Sequence, residues 1–451
     1  MTSFVVDTQN PTDVFNQDAF DLTGDGDSLL VTNAGSLLAL DGGAGITASG
    51  SSETVTIYGL VYSSGGNGVV LTNAEDTVYE DGQVQGAVSG ISAAGDALIY
   101  VNGTVQGGGA GVYLQGSSSS LVVDGQVQGS VSGITLNNAS GATINIGRTG
   151  EVNGGGDGIL SEFYNSAVIT NDGHISGQNY GVYVYNSDAN SILNNGILSS
   201  SESNGGGAAI AFSASTDGVV QNTGTISAQL AIYAAAGSTV AISNSGTVEG
   251  SLIVFDTSQV DLENTGAWQG PLEFNSNADN TLTNSGKIHG AITMGSGSGT
   301  LANTGTITGS ISFAGSFDTL TNGGAIHGYV YMGVNDELTN TGTIHGSVVL
   351  GTGDTLDTSR GEITGSVGAA TKDTFDFSGS FGHNTIDEFA WSGATHDVMH
   401  FASDDFANYA AVQAHMAQVG SDVVITLDAG DTIVLQSMTL AHLVSHDFTF
   451  G

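Results

Sequence analysis

Apolar and polar residues alternate along most of this chain in short runs that stop at a glycine and start again. The segment Leu338-Thr339-Asn340-Thr341-Gly342-Thr343-Ile344-His345-Gly346-Ser347-Val348-Val349-Leu350 shows the unit. Leu338, Asn340, Ile344, Val348 and Leu350 share one parity and would point inward, while Thr339, Thr343 and His345 point outward. Alternation over so few residues predicts short strands rather than helices. The unit recurs as NSGKIHGAITM, NTGTITGSISF, NGGAIHGYVYM and NTGTIHGSVVL, with a weaker fifth copy, SRGEITGSVG. Its glycines are Gly286, Gly305, Gly324, Gly342 and Gly361, a period of 18 or 19 residues. Strand chemistry repeating at about 20 residues predicts a solenoid.

Glycines in the equivalent position run back through Gly59, Gly82, Gly103, Gly125, Gly150, Gly173, Gly196, Gly224, Gly246 and Gly266, which gives fifteen coils of 18 to 28 residues. A second strand follows each corner, as in Gly111-Val-Tyr-Leu and Gly290-Ala-Ile-Thr-Met. No helix intervenes, so the expected fold is all-β: a single-stranded parallel β-helix, right-handed by its coil length. At strand spacings of about 4.8 Å it would extend on the order of 70 Å. Glycine serves the corners, where φ is positive or backbones pack closely. Asn284, Asn303, Asn322 and Asn340 recur in register, as do Asn222, Asn244 and Asn264. Stacked amides of this kind can hydrogen-bond from coil to coil as a ladder. Val254, Phe274, Met294, Phe313, Met332 and Leu350 each follow a coil glycine by eight residues and form an expected internal stack.

The pattern divides the chain into an N-terminal cap over 1–30, the β-helix over 31–366 and a small α+β C-terminal region over 367–451. The cap scatters Val5, Phe15 and Phe20 among acids and would shield the first coil. In the C-terminal region Ser403 would cap a helix with Phe406, Tyr409, Val412 and Met416 on one face. Strands over 423–427 and 432–435 follow, joined by an Asp-Ala-Gly-Asp turn.

Charge narrows the partners. Across 451 residues, 4 Lys+Arg stand against 44 Asp+Glu, a net charge of −40. That balance argues against nucleic acid, whose phosphates need a basic surface. No stretch approaches the ~18 apolar residues of a spanning helix, so membrane insertion is not expected. Carboxylate-rich loops suit calcium, and a divalent ion would favour self-association of so acidic a chain. Asp25 and Asp27, in the glycine-rich turn Asp21-Leu-Thr-Gly-Asp-Gly-Asp27, are candidate calcium ligands, with a solvated turn as the alternative. There is no cysteine, which excludes disulfides and thiolate metal sites. The start, MTSFVVDTQNPTDVF, lacks the basic and apolar regions of a signal peptide.

Two resemblances add to this reading. The N-x-G-x-I coils of 31–366 are similar to autotransporter passengers and filamentous haemagglutinin-like adhesins, which implies the β-helix but no particular activity. The last ~80 residues, by boundary estimate, resemble the C-terminal region of RTX-type proteins exported by type I secretion. The matching stretches are FGHNTIDEF (381–389), Asp397–Phe401, GSDVVITLDAGDTIVLQ (420–436) and the closing Leu443–Phe448. The resemblance implies a Gram-negative source, an uncleaved export signal that includes Leu443, Asp447, Phe448 and Phe450, recognition by the type I machinery, and calcium-assisted folding outside the cell. The RTX nonapeptide GGxGxDxUx does not occur as a tandem array, so calcium sites in the β-helix do not carry over. Asp373, Asp376, Asn384, Asp387 and Asp397 match the coil that follows such an array and are implied as one or two calcium sites.

Polysaccharide lyases and epimerases on β-helices use a basic or tyrosine side chain near a neutralised carboxylate. Here Arg148, Lys287, Arg360 and Lys372 fall on distant coils, and no acidic cluster breaks the repeat. His289, His327 and His345 share one outward position; His327 and His345 could share a metal, or be an exposed row copied by repeat duplication. Tyr113, Tyr183, Tyr185 and Tyr331 could stack on a sugar, or simply suit a β-sheet surface. The expected protein is therefore not an enzyme. It is a secreted cell-surface or matrix protein, a self-assembling filament or S-layer-like lattice. The alternatives are an adhesin for a glycan or abiotic surface and, less favoured, a polysaccharide-active enzyme.

Overall fold

The computed structural model describes residues 1–8, 12–15, 17–73, 75–202, 206–358 and 360–451. Residues 9–11 and 16, part of the expected cap, lie outside the described residues. The chain is all-β, a parallel β-solenoid of the right-handed type with about 18 turns. It divides into two compact units, Met1–Ile242 with Gly246–Ser251, and Ser243–Ser245 with Leu252–Gly451.

In the first unit one ladder of parallel strands starts at Ser3–Val6 and Ser28–Val31 and continues through Thr54–Ile57, Thr77–Glu80 and Leu98–Val101 to Gly218–Asn222. A typical turn adds two more strands, as in Leu98–Val101, Thr104–Gly107 and Ala110–Gln115, each in parallel register with its counterpart one coil on. Inward parity buries Ile99, Val101, Val105, Val112 and Leu114, all at zero exposure.

In the second unit the ladder runs from Gln259–Asn264 through Thr281–Asn284, Thr300–Asn303, Thr319–Asn322, Glu337–Asn340, Thr355–Asp357, Thr374–Phe377 and Val398–Phe401 to Phe448–Phe450. Leu338, Asn340, Ile344, Val348 and Leu350 are all buried, as their parity requires. Val254, Phe274, Met294 and Phe313 stack in strict register, and Met332 and Leu350 are buried likewise. The fifteen glycine corners undercount the turns. Strands such as Ser3–Val6 and Phe448–Phe450 join the ladders without a coil glycine of the repeating kind.

Asparagine files hold the coils together where each strand meets its corner. In the second unit Asn244, Asn264, Asn284, Asn303 and Asn322 each donate from Nδ2 to Oδ1 of the next asparagine at 2.8 Å, and the file ends at Asn340, whose Nδ2 donates to the Glu362 carbonyl. A shorter file in the first unit links Asn171 to Asn194 and Asn194 to Asn222 at 2.7 and 2.8 Å. All of these asparagines are buried, so each amide finds its partner in the next coil rather than in water. The corner glycines beside them are set by close approach, not by a left-handed φ. A Cβ on Gly305 would lie 2.1 Å from the carbonyl oxygen of Gly286.

The C-terminal segment has less helix than its sequence suggests. Its α-helix is confined to Tyr409–Ala414, and the cap is Asn408 rather than Ser403: Asn408 Oδ1 accepts the Ala411 amide at 3.1 Å. Met416 leaves the helix because Met416–Val419 pairs antiparallel with Asp422–Thr426. That strand pairs antiparallel with Thr432–Leu435, which lies parallel to His383–Asp387. Phe375, Phe377, Phe381, Phe401 and Phe406 fill the interior here.

Candidate functional site

The acids that the sequence offers as calcium ligands sit in three different settings. Asp25 Oδ1 accepts the Ser51 amide at 3.1 Å, and Asp27 Oδ1 accepts the Thr2 amide. Asp376 accepts the Ser378 hydroxyl, Asn384 donates to the Phe381 carbonyl at 2.6 Å, and Asp387 Oδ1 is buried with no hydrogen bond. Asp373 and Asp397 belong to a file of five buried aspartates: Asp318, Asp336, Asp354, Asp373 and Asp397. In each step the backbone N–H of one donates to Oδ1 of the next, at 2.8 to 3.0 Å. The second oxygens of Asp354, Asp373 and Asp397 accept the amides of Gly351, Ala370 and Ala390 at 2.7 to 2.8 Å. Both oxygens are thus spent on the backbone of the coil. Burial raises Asp318, Asp354 and Asp373 to about 6 and pushes Asp336 and Asp397 in the same direction. No three of the six aspartate candidates converge on one point among the described residues.

The first unit buries acids too. Burial raises Glu53 to about 7, Asp76 to about 6 and Glu80 to about 8. Glu80 points inward opposite Ile57 and Val101, where burial outweighs the backbone amides of Gly103, Thr104 and Gly82 that act on its carboxylate.

Aromatic side chains gather along the strand Tyr180–Tyr185 of that unit and in the bend that follows its neighbour one coil earlier, Asp157–Glu162. The Tyr180 and Tyr183 rings stack with centroids 4.6 Å apart, Tyr185 lies 6.0 Å from Tyr183, and Phe163 lies 6.1 Å from Tyr185. Tyr113 stands on the same outward file as Tyr183, three coils earlier. Tyr331 belongs to the second unit, 6.2 Å from Tyr329. There too His327 and His345 stack face to face, with centroids 4.6 Å apart, while Thr308 meets His289 at 3.3 Å.

A cleft of about 830 Å³ in the second unit is lined by Arg360, Glu362, Asp428 and Asp431 among others. Asp428 is held by its own turn, where it accepts the Gly430 and Asp431 amides, and Asp431 reaches out of that turn to accept the Gly382 amide. Of the residues implied as an export signal, Leu443, Asp447 and Phe448 are buried and Phe450 is half-buried on the last strand. One constellation has no motif to announce it. His396, His446 and Asp447 bring their ligating atoms within 4.8 Å of one another. In the sequence they stand only as a histidine 50 residues from a second one, and strand pairing between 398–401 and 448–450 brings the two together.

Residues 46–223, 178 of the 451, match the model of a family described as periplasmic copper-binding protein, NosD. No curated protein matches the chain. The match covers coils of the first unit only. Copper is held by imidazole, thiolate or thioether ligands. Within 46–223 there is one histidine, His174, no methionine and no cysteine. The His174 ring meets the Ser199 hydroxyl at 3.3 Å. One imidazole does not make a copper site, so these residues share the coil pattern of that family without ligands fitted to the metal.

Proposed function

We propose that the protein is an exported, non-enzymatic solenoid that works outside the cytoplasm as a structural element of a cell surface or matrix. The observation that carries this reading is the regularity of both units. Coil after coil keeps register, and the buried asparagine and aspartate files join coils rather than face a substrate. Active sites are built from groups that converge in a cleft; in the 830 Å³ cleft two of the three carboxylate residues are already spent on backbone amides, Asp428 on its own turn and Asp431 on Gly382. The family matched by 46–223 is periplasmic by its description, which agrees with a place outside the cytoplasm. Export by the type I machinery rests on the RTX-like C-terminal motifs.

Self-association through acidic sides bridged by calcium is the mechanism we favour, because a chain of net charge −40 needs a cation to approach its own kind. The hairpin of Asp422–Thr426 and Thr432–Leu435 covers part of one ladder edge and so favours lateral contacts. Electron microscopy of the purified chain, with millimolar calcium and then with chelator, tests this. Ordered filaments or sheets that disperse on chelation are expected; dispersed particles in both conditions would overturn it.

A second reading, an adhesin, is favoured by the Tyr180–Tyr183–Tyr185 tract with Phe163. Aromatic faces spaced along a flat sheet suit the apolar faces of sugar rings. Glycan-array binding that Tyr183→Ala and Tyr185→Ala abolish would select it over assembly.

A further inference from the structure

His396 precedes the strand Val398–Phe401, and His446 and Asp447 lie on the single 3-10 turn Ser445–Asp447 that leads into the parallel partner strand Phe448–Phe450. The pairing therefore fixes the three side chains on one patch of the second unit. The His396 and His446 ring centroids are 4.7 Å apart. Asp447 is fully buried, and Oδ2 accepts the Val444 amide at 2.8 Å, which pins the carboxylate. Its other oxygen, Oδ1, is buried without a hydrogen bond and stands 3.6 Å from His446 Nε2. Capping the turn accounts for Oδ2 and leaves Oδ1 without a role. An orphaned buried carboxylate oxygen is costly unless something positive meets it.

His396 is oriented as metal-binding histidines are. Its Nδ1 lies 3.2 Å from the Asp397 carbonyl oxygen. A carbonyl only accepts, so Nδ1 carries the proton and Nε2 keeps the lone pair. In a tetrahedral zinc site with bonds of about 2.0 Å, neighbouring ligand atoms stand roughly 3.3 Å apart. The His446–Asp447 separation is already close to that. The exposed His446 and half-buried His396 rings have room to close the remainder by side-chain rotation.

We infer that His396, His446 and Asp447 hold one divalent transition-metal ion of the zinc class, through two imidazole nitrogens and Asp447 Oδ1, with a fourth position open to water. Hard calcium prefers all-oxygen shells, and two imidazoles in three ligands point away from it. The site lies outside the residues that match the copper-binding family and draws nothing from that match. An ion here would tie the loop before one strand to the turn before its partner, and so fasten the last rung of the ladder.

The test uses the full chain stripped of metal with a chelator. Zinc followed by titration calorimetry should bind at one ion per chain, and cobalt(II) should give the visible absorption bands of a low-symmetry nitrogen–oxygen site. His396→Ala and His446→Ala should each weaken zinc by about tenfold or more. Both should keep the far-ultraviolet circular dichroism of the parent, since neither ring is in the core. Asp447→Asn retains an acceptor for the Val444 amide and should also lose zinc. His415→Ala, whose ring meets the Ala411 carbonyl at 2.8 Å, should bind as the parent does. No saturable zinc uptake, or uptake that survives both His396→Ala and His446→Ala, overturns the assignment. So does uptake lost instead when His327 and His345 are both replaced by alanine. None of these outcomes depends on whether the chain assembles.

Discussion

Glu80 sits where its neighbours one coil away are Ile57 and Val101, sealed from water, and the nearby amides of Gly103, Thr104 and Gly82 do not offset that burial. Its folded pKa of about 8 lies above the ordinary value of 4.5. The favourable protonated state is therefore complete below about pH 4.5, and stability is lost as pH rises from there through about 8. At pH 7 the loss amounts to about 3 kcal/mol relative to acid. Glu80→Val matches the apolar residues above and below it, so it should raise the unfolding free energy by about 2 kcal/mol at pH 7 after a small packing cost. The advantage should vanish near pH 4. Urea denaturation at the two pH values measures it, and an equal effect at both would show that charge burial is not the cause. The position was readable in the sequence. Glu80 precedes Gly82 by two residues, the inward place that asparagine takes from Asn171 onward. What alternation does not reveal is how an inward acid is satisfied, because that depends on which groups the next coil brings within reach.

Two kinds of file tie rung to rung, and they differ in what they ask of the solvent. The asparagine file is neutral and indifferent to pH. Asn303→Ala would strip Asn284 of its acceptor and Asn322 of its donor, both buried. A loss of about 2–4 kcal/mol follows, by analogy with other buried groups left unpaired. Thr308→Ala, on the outer surface of the same coil, should cost little. The recurrence of Asn made the file visible in the sequence, since one residue type held at a fixed interval from a corner glycine points to one shared structural role. The aspartate file was less visible, although Asp318, Asp336, Asp354, Asp373 and Asp397 each stand two residues before a buried Leu, Phe or Met. A carboxylate in a glycine-rich turn suggests a cation as readily as it suggests a backbone amide, and only the coil above decides. Folded pKa values of about 6 for Asp318, Asp354 and Asp373 exceed the ordinary value of 3.8. Their contribution is complete below about pH 3.8 and is lost as pH rises through about 6. Thermal midpoints should therefore fall by several degrees between pH 4.5 and 7. Asp354→Asn should flatten that slope while lowering the midpoint at acid pH, because its NH2 cannot accept the Gly351 amide.

At the scale of the whole chain, four basic residues cannot neutralise 44 acids, so the fold is held against its own charge. The solenoid was legible because parity and period repeat many times over, and each repeat confirms the last. The number of turns and the zinc-class site were not, since the terminal coils lack the corner glycine and the site joins residues 50 apart through strand pairing. Repulsion among exposed acids is a long-range effect that salt screens, with a Debye length near 30 Å at 0.01 M and near 3 Å at 1 M. Raising sodium chloride across that range should therefore raise the thermal midpoint steadily at pH 7.5, where the acids are ionised. Calcium and magnesium at equal millimolar concentration separate screening from binding. Both carry two charges, so pure screening gives equal shifts. A carboxylate site with several oxygens favours calcium, because magnesium gives up its water reluctantly. Calorimetric scans should show a larger shift with calcium, and the excess should persist in 0.5 M salt, where about 4 Å of screening length leaves only direct contacts. Equal shifts that disappear together in that salt would mean that calcium acts on this protein only as charge, and lateral bridging through specific sites would fall with it.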